Sequence, residues 1–193
     1  MVMKQLKGKW RQKRPFFVTL FILLGMFMAT IPIFADDVTG SATVTGGSLV
    51  MSATDNPAFP GTTLNGTDQT KSDTIDIDVQ DFTGTGAGWN LQVTSTTFND
   101  GSGHTLATTA TQITGVSSAC DGGTCTNPTN AIGYPLTVPA DTVAPAAVKF
   151  FNSALNTGMG DFTVTPTLEL SIPASTFAGT YNSTVTITIV SGP

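Results

Sequence analysis

Toward the end of the chain, apolar and polar residues alternate strictly. Phe162, Val164, Leu168, Leu170 and Ile172 share one parity, and Thr163, Thr165, Thr167, Glu169 and Ser171 share the other. A period of two puts successive side chains on opposite faces of an extended strand. Pro166 falls inside this run and has no backbone donor, which predicts an edge strand or a bulge there. After a connection at Pro173–Thr180, Tyr181, Val185, Ile187 and Ile189 take one face, opposite Thr184, Thr186 and Thr188. Earlier, Ile75, Ile77 and Val79 alternate with Asp76, Asp78 and Gln80, and Trp89, Leu91 and Val93 with Asn90, Gln92 and Thr94. The glycines at 84, 86 and 88 between these two runs predict a hairpin or a meander.

Weaker strand patterns occur in Val38–Ser52, Gln112–Ser118 and Tyr134–Val138, and a loop is expected from Asp55 to Gln69, where Pro57, Pro60, Gly61 and Gly66 lie. The single place that admits helix is Val143–Leu155, Ala-rich but limited by Pro145. Short strands separated by turn signals predict an all-β fold, a β-sandwich of short antiparallel strands in a single domain. Composition agrees: Thr, Ser and Gly dominate, whereas beyond residue 35 Glu occurs once (Glu169) and Lys twice.

The beginning of the chain breaks this pattern. Lys4, Lys7, Lys9, Arg11, Lys13 and Arg14 precede an apolar run from Phe16 to Phe34, then Ala35 and Asp36-Asp37. A basic stretch, an apolar stretch and a small residue at the cut describe a helical signal peptide over residues 1–35, with the domain at 36–193. An uncleaved anchor is the alternative, since a bilayer core requires about 20 apolar residues; Pro32, Ala35 and the acidic start favour cleavage. The membrane is then met only through the signal peptide before cleavage.

Removing the leader changes the charge. Lys71 and Lys149 remain against thirteen acidic residues, a net charge of −11. Nucleic acid is excluded as a partner, because its affinity depends on cations that neutralise phosphate. The same argument opposes a charge-driven grip on any phosphate-rich polymer, which leaves hydrogen bonds, packing and stacking for recognition. Cys120 and Cys125 enclose Asp-Gly-Gly-Thr, and in an exported chain they read as a disulfide across a small loop. Such a closure is worth roughly 2 kcal/mol. Two thiols without a nearby His supply only half of a zinc site, so no metal and no other cofactor is expected.

Two segments carry a family resemblance. Gly88-Trp89-Asn90-Leu91 reads Trp-x-Leu at the start of a strand, and the run from Tyr181 to Pro193 places Val185-Thr186, Ile187 and Ile189 between a Tyr and a terminal Pro. With Asn156–Gly160 and Pro173–Tyr181 as connecting segments, the ordered set resembles the WxL domain of Gram-positive bacteria. That module attaches proteins non-covalently to the cell wall. The family's second Trp is here Ile187, and its Leu position is Ile189. The resemblance implies a non-catalytic, secreted cell-surface protein with peptidoglycan as its partner, and possible assembly with other exported proteins. It marks Trp89, Asn90, Leu91, Tyr181, Val185, Thr186, Ile187, Ile189 and Pro193 as motif residues. The sequence itself is read as a stand-alone module, with no second domain to display and no C-terminal sorting motif visible.

The motif residues admit two roles. In one, Trp89 presents its indole to a sugar; in the other, its parity with Val93 places it in the core, the usual fate of a large aromatic opening an alternating strand. The Ile at 187 fits a core position better than a ligand platform. Other chemistry is weaker. Of Asp73, Asp76, Asp78 and Asp81, only Asp76 and Asp78 share a strand face, which reads as a solvated acidic face and not a calcium site. His104, the single histidine, lies in a Gly-Ser-Gly loop with no visible means of orienting its ring, and Glu169 stands alone. Catalysis is not expected. One echo remains: Thr85-Gly86-Ala87-Gly88 before Trp89, and Thr157-Gly158-Met159-Gly160 just before Phe162.

Overall fold

The computed structural model describes residue 36 and residues 39–193. The expected signal peptide at 1–35 lies outside the described residues. Within Thr43–Pro193 the chain forms strands β1 (Leu49–Ala53), β2 (Gln69–Thr74), β3 (Ile77–Asp81), β4 (Trp89–Thr96), β5 (Thr111–Thr126), β6 (Leu136–Thr137), β7 (Ala140–Asp141), β8 (Val148–Ser153), β9 (Met159–Ile172) and β10 (Val185–Ser191). One sheet runs β1-β3-β9-β5-β6, with β2 also on β9; the other runs β10-β4-β7, with β8 also on β4. All pairings are antiparallel except the short β4–β7 contact, Ser95↔Ala140 and Thr96↔Asp141.

The core lies between the sheets. Ile77, Val79, Ile113, Val164 and Leu168 from the first sheet pack with Trp89, Leu91, Val93, Phe150 and Phe151 from the second in one buried cluster. Apart from Phe150 and Phe151, these residues fall in the strand runs read from the sequence. The all-β architecture expected from alternation is therefore the one observed.

Three expectations need correction. β3 and β4 do not form a hairpin: β3 pairs with β1 and β9, while β4 pairs with β10, β7 and β8, so the glycine turn carries the chain from one sheet to the other. Alternation fixes which face is buried, but not which strand is the neighbour. Among the described residues no helix occurs in Val143–Leu155; Val148–Ser153 is β8. There Phe150 and Phe151 are both buried, because the β4–β8 register skips one residue between Leu91↔Phe151 and Gln92↔Lys149. That bulge turns two consecutive rings inward and erases the period of two.

Pro166 lies in the sheet's central strand, not at an edge. β2 covers β9 from Thr167 to Ile172 and β3 covers it from Gly160 to Val164, so the break between them falls beside Pro166. A residue without a donor is accommodated where the neighbouring ladder is interrupted. On the other flank, the β5 register shifts between Ile113 and Gly115, close to the same point. The polar strand β2 had no apolar alternation to announce it.

Candidate functional site

The two motif segments lie side by side. β4 and β10 pair antiparallel with Ile187 opposite Val93, Ile189 opposite Leu91 and Ser191 opposite Trp89. Trp89 and Leu91 are fully buried, and Val185, Ile187 and Ile189 are half-buried against the same core. The Trp89 indole packs on Phe151 with centroids 5.7 Å apart, and its Nε1–H donates to the Gly158 carbonyl at 2.9 Å. The indole offers no face to solvent. Thr186 faces outward, and buried Asn90 donates through Nδ2 to the Gly192 carbonyl at 2.7 Å. The Pro193 main-chain oxygen accepts from Lys149 Nζ at 2.6 Å.

The echoed glycine turns meet at this end. The Asn156 amide donates to the Gly86 carbonyl at 2.8 Å, and the Gly192 amide to that of Gly88 at 2.9 Å. Gly158 has φ +70°, and a Cβ there would collide with the Ser153 hydroxyl and lie 2.7 Å from the indole nitrogen. Only glycine satisfies both the backbone and the space. The Cys120–Cys125 disulfide, with Cα atoms 6.0 Å apart, braces the same region: the Gly158 amide donates to Thr126 at 2.6 Å.

The opposite end of the β4–β10 ladder is built differently. The segment after β4 and the one before β10 are joined by reciprocal Asn99–Asn182 backbone hydrogen bonds of 3.0 and 2.9 Å. The loop does orient His104, contrary to expectation. Its Nδ1 lies 2.6 Å from Asp100 Oδ2, while Asp100 Oδ1 accepts the Ser102 and His104 amides at 2.8 and 3.0 Å. The His104 hydrogen bond holds the Asp100 carboxyl below the ordinary aspartate value. Phe177 stacks on the imidazole at 3.9 Å and 15°. The Tyr181 hydroxyl donates to the Phe177 carbonyl at 3.0 Å. Removal from water, and secondarily the charge of Asp100, push that phenol's pKa up. Together these rings line a cleft of about 270 Å³ with Thr105, Ser175 and Thr176 on its rim.

A family model described as WxL domain, surface cell wall-binding, matches residues 39–193. The chain belongs to the WxL family. It is therefore a cell-surface, wall-associated protein of a family defined by wall binding and not by an enzyme activity. Searches of curated proteins and of solved structures found no match.

Other residues of interest in this WxL domain are dispersed or regrouped. Asp73 accepts the Ala58 amide at 2.6 Å, Asp76 accepts the Thr165 hydroxyl at 2.7 Å, and buried Asp81 caps its own turn by accepting the Thr83 amide at 3.0 Å. Asp78 instead meets Asp121 and Asp161, with carboxylate oxygens of all three within 4.8 Å of one another. Asp121 reaches this place because it is the extra residue where the β5 register shifts between Cys120 and Gly122. Burial, then the neighbouring Asp161 and the charge of Asp121, raise the Asp78 pKa. Glu169 is half-buried on β9, opposite Ser72 and Gln112. Sequence reading missed Asp100 and Phe177. Their available signals were an acid four residues before the one histidine and an aromatic stranded among Ser, Thr and Gly.

Proposed function

We propose that this WxL protein is a non-catalytic surface protein that binds peptidoglycan directly, through its loops and not through Trp89 and Leu91. The observation that carries this reading is the complete burial of those two side chains in a wall-binding domain. Residues that fill the core fix the shape, and the ligand is met by what they leave outside. The net charge of −11 beyond residue 35 disfavours a phosphate-rich ligand held by charge. Hydrogen bonds and ring stacking on uncharged glycan then supply the contact.

Co-sedimentation of the exported protein with isolated sacculi tests this, before and after removal of teichoic acids. Equal pelleting from both preparations, persisting in raised salt, is the expected result. Pelleting that disappears with the teichoic acids overturns peptidoglycan as the ligand, and sugar released from the walls overturns the non-catalytic role.

A second reading rests on the sheet borders. Among the described residues β1 hydrogen-bonds only to β3 and β10 only to β4, so each borders its sheet and carries backbone groups of the kind another exported chain could pair with. In that case the protein is a structural or adhesive subunit of a surface complex, and it pellets with sacculi only when a second exported protein is present.

A further inference from the structure

Resting on the peptidoglycan reading, we propose that the cleft between the 99–107 loop and the 173–181 segment is a subsite for one neutral pyranose ring of an N-acetylated glycan strand, with Phe177 as its stacking platform.

Phe177 is 62 % exposed, although it is a large apolar ring. One face lies against His104, so the exposure falls on the other face and the rim. An aromatic held flat with one free face matches the C–H face of a pyranose. The ring is also held in place beforehand. Asp100 fixes the imidazole on one side, Tyr181 holds the Phe177 carbonyl on the other, and the Asn99–Asn182 bridge ties both segments to one ladder. Tyr181 is further anchored against Leu106, Ala110 and Leu170 in a small second core. Little ordering is left for a ligand to bring about, which favours affinity at a small site.

The rim chemistry narrows the ligand class. Thr105, Ser175 and Thr176 bring hydroxyls that both donate and accept, as sugar hydroxyls and acetamido groups require. Among the described residues that line the cleft none is Lys or Arg, and the Asp100 carboxylate stands beside it. A phosphate or a carboxylate finds no Lys or Arg there to pair with, and His104 Nδ1 is already engaged by Asp100. A volume of about 270 Å³, just under the ~300 Å³ at which small-molecule sites begin, limits the occupant to one sugar residue at most.

The test uses tetra-N-acetylchitotetraose as a soluble probe, titrated into the exported protein and followed by amide chemical shifts, in parallel with sacculus pelleting. Shifts concentrated in 100–107 and 173–181 are expected, with at least tenfold weaker binding in Phe177→Ala and retained binding in Phe177→Trp. An unchanged melting temperature in Phe177→Ala ties the loss to the ring. Absence of shifts in these segments at millimolar probe, or equal affinity in Phe177→Ala, overturns the cleft assignment even where the protein still pellets. Shifts at the cleft without pelleting support the cleft and sink the wall reading instead.

Discussion

The two ends of the β4–β10 ladder use aromatic rings in opposite ways. At one end Trp89 is wholly buried, its N–H is satisfied by Gly158, and glycine is obligatory where the two turns meet. At the other, some 25 Å away along an eight-residue strand at about 3.3 Å per residue, Phe177 lies largely in solvent on a tethered His104. The first end closes the sandwich; the second leaves a cleft open. The Trp-x-Leu part of the family motif is thus bound up with the fold's closure, while its Tyr181 stands at the cleft. In our reading, recognition of the wall is the work of the end where burial makes no demand.

Single substitutions separate the two ends sharply. Trp89→Ala removes a fully buried indole and leaves the Gly158 carbonyl without its donor, so chemical denaturation should show a loss of about 3–5 kcal/mol. Phe177→Ala should change stability by less than ~0.5 kcal/mol. Comparable losses in both variants would end the comparison. Gly158→Ala should cost roughly 3 kcal/mol, since the added methyl meets Ser153 and the indole at a positive φ. Its cost vanishing in a Trp89→Ala background would identify the indole contact as the larger part. Replacing Cys120 and Cys125 together by Ser should cost about 2 kcal/mol in the same measurement. The disulfide braces the closed end only, so sacculus binding should be unaffected.

What the sequence revealed follows from the reach of its signals. Alternation correctly turned Trp89, Leu91, Phe162, Val164 and Leu168 inward, because a strand's parity is local information. Partner choice is not local, and the β3–β4 hairpin failed for that reason. Bulges defeat parity outright: Phe150 and Phe151 are both inside, and Asp121 is brought to Asp78 by an extra residue in β5. The matching Thr-Gly-x-Gly turns were visible as an echo, but their mutual contact depends on two sheets meeting. Phe177 lies more than seventy residues beyond the Asp100–His104 loop, and the two segments are joined through the Asn99–Asn182 bridge. No spacing rule links Phe177 to the Asp100–His104 pair in the chain.

The smallest effects distinguish the ends by charge. Asp78, near the disulfide loop, has its pKa raised above the ordinary 3.8, and Asp100 at the cleft has its own lowered. The signs give opposite pH dependences. The fold favours protonated Asp78, so its contribution is most favourable below 3.8 and is lost as pH rises through the elevated folded value. Asp100 behaves in reverse: it supports the fold above 3.8 and loses that support as pH falls through its depressed folded value. Asp78→Asn should therefore stabilise slightly at neutral pH, within about 0.5 kcal/mol for a change of this kind, while Asp100→Asn destabilises there and releases His104. Melting temperatures of both variants and the parent from pH 2 to 7, roughly spanning both carboxylate titrations, would read this directly. Parallel curves for the two variants would show that the carboxylates feel the same environment, and the electrostatic half of the contrast between the ends would be lost.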